Sequence, residues 1–148
     1  MNEKLTIQGN KVKVLTNSWE NDQFVLVVIL LIIKYTLDGR SKLVKLKKMA
    51  FIFDAVKKEL QISKISTALS SPWVVSAELR KKLILAYEKR LIVMENPSSD
   101  FGLKLTVLGE ELVTEVETLN IIPSTRAHII KLCRVISDKE LKNQDLIW

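Results

Sequence analysis

One cysteine, one histidine, three prolines and four glycines are the whole supply, in a chain of 148 residues, of the residue types that carry disulfides, neutral-pH proton transfer and tight turns. A single cysteine excludes an internal disulfide and a secreted cysteine framework, and it favours a reducing, cytoplasmic setting. The glycines, Gly9, Gly39, Gly102 and Gly109, are scattered, so neither a GxGxxG nor a GxxxxGK[ST] phosphate loop can be built from them. Long apolar runs are also scarce. The strongest, Phe24 to Ile33, ends at Lys34, whereas a bilayer crossing needs roughly 20 apolar residues. It predicts a buried core helix and no membrane contact. The residues after Met1 are polar and alternating rather than a signal core, and Ile147-Trp148 matches no lipidation signal.

What is present is an ordinary globular composition, 47% hydrophobic and 27% charged, of a size that suits one domain. Lys and Arg number 23 against 17 acids, a formal charge of +6. That balance invites an acidic partner and allows DNA binding without demanding it.

Along the chain, Leu5 to Leu15 alternates on either side of Gly9 and predicts an N-terminal hairpin or arm within residues 1–18. Asn21-Asp22 caps the apolar helix. After a turn at Leu37 to Ser41, the stripe Leu43, Leu46, Ala50, Phe53, Val56 and Leu60 predicts a second helix whose outer side carries Lys42, Lys45, Lys47, Lys48, Lys57 and Lys58. Ser63 to Pro72 reads as a loop. Ser76 caps a third helix, Ala77 to Arg90, with Leu79, Leu83 and Ala86 on one face and Ile84, Leu85 and Tyr87 widening it.

Leu91 to Glu95 and Leu103 to Val107 are strand-like runs separated by the loop Asn96 to Gly102, which predicts a β-wing. Gly109 opens a helix to Leu119, and its Glu110 and Glu111 suit the positive end of the helix dipole. Ser124 caps a closing helix to about Leu141, before a tail from Asn143 to Trp148. This order of parts is that of a winged helix-turn-helix. The expected fold is therefore mainly α (α+β): residues 20–119 form a winged-helix core, and residues 123–148 add a C-terminal helix and tail.

Chemistry is sparse. His128 and Cys133 lie five apart on a predicted helix and share no face. Two such ligands do not make a zinc centre, and no nucleophile–base pair is visible, so no cofactor, metal or catalytic residue is expected. Opposite the apolar stripe of the third helix, Lys81, Lys82 and Lys89 stand with Glu78, Glu88 and Leu85. Those acids work against base reading, and the wing tip carries Asp100 but no cation.

The lysines of the second helix have three readings: a solvated face, a phosphate contact, or a contact with an acidic protein. Trp19, Trp73 and Trp148 fall outside the periodic stripes. Tryptophan is enriched where proteins meet, although Trp19 and Trp73 also suit the edge of a core.

Several segments carry a resemblance. Val27 to Lys34, Leu37 to Val44 and Ala50 to Phe53 are similar to the opening of the middle components of bacterial three-component ABC-ATPase systems. Ser71-Pro72-Trp73, Ala77 to Ile84, Lys89 to Ile92 and Leu105 to Gly109 resemble that family's downstream half in order and spacing, so the match runs from about Val27 to Leu119. The resemblance implies a small non-catalytic subunit that links an SMC-like ABC ATPase to an effector in Lamassu-type defence against phage or plasmids. Lys45, Lys47 and Lys48 make the second helix more basic than the family's pattern, which leaves DNA contact open. The alternative is a stand-alone winged-helix transcription regulator.

Overall fold

A computed structural model of the protein describes residues 19–38, 43–64, 73–74, 76–95, 102–136 and 146–147. The predicted hairpin in residues 1–18, Lys42, the loop tip at 96–101 and Trp148 lie outside the described residues. The chain is mainly helical with a small three-stranded antiparallel sheet, an α+β arrangement. In order come α1 (Asp22–Leu37), β1 (Val44–Lys45), α2 (Leu46–Lys57), a single 3₁₀ turn (Ile62–Lys64), β2 (Trp73–Val74) and α3 (Ala77–Glu88). β3 (Ile92–Glu95), β4 (Gly102–Leu105), α4 (Val107–Thr118), α5 (Pro123–Val135) and β5 (Leu146–Ile147) follow.

α1 is the axis of the molecule. Asn21 Oδ1 accepts from the Gln23 and Phe24 amides at 2.9 and 3.3 Å, which satisfies donors that the first turn leaves open. Every residue from Phe24 to Ile33 is buried, because α1 packs against α2, α3, α4, α5 and strand β4 at once. An apolar run with no polar side needs this all-round enclosure. Trp19 closes one end, edge-on to both Phe24 and Phe53. Of its two readings, the core-edge one holds.

The second helix starts later than its stripe predicts. Val44-Lys45 is a strand, pairing antiparallel with β4 in the register Val44–Leu103 and Lys45–Gly102, and the helix runs Leu46–Lys57. β4 is the central strand of the sheet order β1-β4-β3, so burying Val44 against it outweighs one more helical turn. Leu60 lies beyond the helix, after Glu59 in the left-handed region at φ 53°.

The third helix keeps its predicted Ser76 cap, whose Oγ accepts from the Leu79 amide at 3.0 Å. It ends at Glu88 rather than Arg90. The strand predicted to reach Val107 stops at Leu105, because Thr106 caps α4 instead.

Thr106 joins three elements. Its Oγ1 accepts from the Gly109 amide at 3.0 Å and donates to the Arg90 carbonyl at 2.7 Å, while its own amide donates to the Leu91 carbonyl at 3.1 Å. Thr106→Ala is expected to lower the unfolding free energy by about 1–2 kcal/mol, the usual cost of losing a cap, and Thr106→Ser to recover most of it. Urea midpoints of the two variants check this.

The last helix begins at Pro123, with Ile122 rather than Ser124 as its N-cap and no side-chain cap bond. Proline's fixed φ suits the first helical position and its missing N–H costs nothing there, so the start needs no serine. Residues 146–147 return parallel to 73–74, with Trp73 opposite Leu146 and Val74 opposite Ile147. Residues 146–147 thus lie beside the short strand that precedes α3 in sequence.

Candidate functional site

Two surfaces gather the polar and exposed groups. The first is a cleft of about 440 Å³ where the C-terminal ends of α1 and α5 meet β1 and the start of α2. Lys34, Lys45, Lys48 and Arg134 line it with Asp38, Glu117, Tyr35, Thr36 and Cys133. Lys34 and Arg134 occupy the last turns of α1 and α5, where cations offset the negative end of the helix dipole. Lys45 is the N-cap residue of α2, and Lys47 and Lys48 follow in its first turn, which has no acid. There the dipole favours anions and not lysines. The dipole therefore does not account for this placement, and Lys45, Lys47 and Lys48 each interact with another group of the chain.

In the cleft wall, Tyr35 Oη donates to Glu117 Oε2 at 2.8 Å. Arg126 reaches the Ile121 carbonyl at 3.0 Å and also bonds Asn120 Oδ1, so α1, α4 and α5 are tied together. Burial, and then the Glu117 carboxylate, push the Tyr35 phenol up to about 12, with Arg126 acting in the opposite sense. The folded state therefore holds this proton more tightly than the unfolded chain, whose tyrosine ionises near 10. Its contribution is intact below pH 10 and is lost as pH rises through about 12. Tyr35→Phe is expected to flatten the fall in urea midpoint between about pH 10 and 12 relative to the unmodified chain.

Cys133 is half-buried beside Thr36, with its Sγ 3.3 Å from the Thr36 Oγ1. Burial pushes the thiol up, against the opposing pull of the Thr36 bond and the Lys48 charge. A protonated thiol is a poor nucleophile. His128 lies elsewhere, its Nε2 2.8 Å from the Leu60 carbonyl, which staples α5 to the chain after α2. Among the described residues no three His, Cys, Asp or Glu side chains gather as a metal site would require, and no helix is long and apolar enough to cross a membrane.

The second surface is the outward side of α3. Leu79, Leu83 and Ala86 are buried, as their spacing predicts. The other side departs from the sequence reading. Ile84 and Tyr87, expected to widen the packing face, are 53% and 52% exposed, because among the described residues neither sheet nor helix covers that flank. Lys82 Nζ lies 2.7 Å from Asp22 Oδ1 and Lys57 bonds Glu78, so Lys82 and Glu78 are tied back to α1 and α2. Lys89 and Leu85 are half-buried. What faces outward is Arg80, Lys81, Ile84, Tyr87 and Glu88.

Of the residues singled out in the sequence, Lys45 and Lys48 therefore share the cleft, with Lys47 beside them on α2. Lys81 alone of Lys81, Lys82 and Lys89 belongs fully to the outward side of α3. Trp73 is placed by its backbone in β2. Ile84 and Tyr87 are what sequence reading missed; their signal was the excess width of the apolar stripe. No family model, curated protein or solved structure matches the chain.

Proposed function

We propose that this chain is a winged-helix adaptor subunit that links an SMC-like ABC ATPase to an effector in defence against phage or plasmids, and that it carries out no chemistry itself. The element order α1-β1-α2-α3-β3-β4, with β4 between β1 and β3, supports the winged-helix part. The resemblance over Val27 to Leu119 supports the ATPase partner. One observation carries the adaptor reading over the regulator: the outward side of α3, which in a DNA-reading winged helix enters the major groove, presents Ile84 and Tyr87 at its centre and Glu88 at its end. Apolar and aromatic groups beside an acid suit a protein surface better than a phosphate-lined groove.

Tagged purification from the native host with nuclease present, followed by intact-complex mass determination, tests this. Co-elution of a large coiled-coil ATPase is expected. Recovery of this chain without any ATPase, holding a defined DNA fragment once nuclease is omitted, would overturn it.

A second reading is favoured by the lysines at the start of α2: direct DNA contact, made by this subunit inside the complex or by a stand-alone transcription regulator. Lys45→Glu, Lys47→Glu and Lys48→Glu together would then weaken DNA binding and flatten its salt dependence. Unchanged affinity returns those lysines to an acidic protein partner or to solvent.

A further inference from the structure

We propose that the outward side of α3 is a self-complementary seam on which a second copy of this chain docks with its own α3 antiparallel. The inference shares with the adaptor reading only the premise that α3 meets protein; it requires no ATPase.

The argument is one of helical geometry. At about 100° per residue, the exposed residues of α3 order themselves around Ile84. Arg80 and Tyr87 lie on one flank, Lys81 and Glu88 on the other, and the buried Leu79, Leu83 and Ala86 lie behind. A twofold contact is isologous, so the same patch meets itself. When two copies of one helix pack antiparallel about an axis passing beside Ile84, each flank faces the same flank of the other copy with its direction reversed.

Lys81, three residues before the centre, then meets the second copy's Glu88, four residues after it. On the other flank Arg80, which also has a partner within its own chain, meets the ring of the second copy's Tyr87, an arrangement suited to cation–π contact. Ile84 meets Ile84. Each charge thus finds an opposite charge or an aromatic face, and the two half-exposed apolar side chains cover one another.

A parallel arrangement lacks this matching, since it brings opposite flanks together and sets Lys81 beside the second copy's Arg80, a like charge, and Glu88 beside the face of its Tyr87. An α3–DNA contact would leave Glu88 against phosphate. Charge complementarity therefore selects the antiparallel second copy. A seam of one helix per partner lies below the ~1,200 Å² of standard interfaces, so the association is weak and concentration-dependent.

Sedimentation equilibrium of the full chain, from about 10 μM to about 1 mM, reads this directly. The mass is expected to climb from the 16.9 kDa of one chain towards twice that value. Ile84→Glu, Lys81→Glu and Glu88→Lys, all at exposed positions and checked for unchanged circular dichroism, should each weaken association at least about tenfold. The double variant Lys81→Glu with Glu88→Lys restores the pairing with its signs exchanged and should recover most of the association.

A monomer across the whole range overturns the seam, as does an undiminished dimer in Ile84→Glu or a double variant no better than its parents. Because only the isolated chain is used, any of these failures leaves the ATPase co-purification to decide the adaptor reading separately.

Discussion

Ile29→Ala is expected to lower the unfolding free energy by about 4 kcal/mol, near the upper end of the 2–5 kcal/mol found when a large aliphatic side chain is truncated in a core. Ile29 is fully buried at the middle of α1, and the cost of such a cavity depends on how far its walls can collapse. Here the walls are α2, α3, α4, α5 and β4, all of them packed on α1. None can move inward without leaving its other neighbours, so the lost methyl and methylene groups leave space rather than a repacked core. A loss of that size is a large part of the 5–15 kcal/mol that holds a typical domain. The readout is a shift in urea midpoint at unchanged denaturant slope. Ile84→Ala supplies the contrast, since at 53% exposure the same chemical change should alter the monomer's stability by less than about 0.5 kcal/mol.

The comparison between those two isoleucines also explains which parts of the fold were legible in the sequence. α1 was readable because a run with no polar side has only one place to go, and because Asn21 stands where a cap belongs. α3 was readable on its buried side for the same reason. Ile84, by contrast, occupies a helix position whose burial depends on whether another element arrives to cover it, and nothing in local spacing records that. Lys82 and Glu78 present the same difficulty with charge. Each is tied to a partner far away in the chain, Asp22 and Lys57, so their withdrawal from the outward side of α3 was invisible until the helices were packed.

Helix ends were hidden by a different device. α2, α3 and α4 all stop with a residue in the left-handed region, Glu59, Arg90 and Asn120. After each, the next amide bonds back to a carbonyl in the last turn: Leu60 to Ala55, Leu91 to Ala86 and Ile121 to Val116. Glycine is the usual signal for this turn. With Glu and Arg in its place, two of the three stops carried no compositional mark, and the predicted second and third helices ran on. The apolar Leu60, Leu91 and Ile121 that follow, each buried or packed against the core, hold the turn without glycine. Strand β1 escaped notice because two residues cannot display an alternation. The cleft lysines were visible as charge, but their crowding at the N-terminal end of a helix emerged only once β1 had displaced the start of α2.

Gly109→Ala is expected to destabilise the protein by roughly 3 kcal/mol, opposite in sign to the gain of about 1 kcal/mol that alanine brings in an unobstructed helix interior. Gly109 sits buried in the first turn of α4, against the chain that leaves α3 for β3. A β-carbon added there would overlap the Leu91 carbonyl oxygen and lie 3.2 Å from the Leu91 carbonyl carbon. Both are backbone atoms, so no rotamer change relieves the overlap. Leu91 is itself fixed on either side, its amide bonded to Ala86 and its carbonyl accepting from Thr106. The strain must then move α4 as a body away from β3, loosening the Thr106 cap and the burial of Leu112, Val113 and Val116 behind it. For a chain of this length the loss corresponds to a fall in Tm of roughly 6–12 °C. Ser at the same position should behave like Ala, because the clash begins at the β-carbon. A rise in Tm for Gly109→Ala would mean that α4 starts clear of Leu91, and that the junction between α3, β3 and α4 is looser than the Thr106 bonds require.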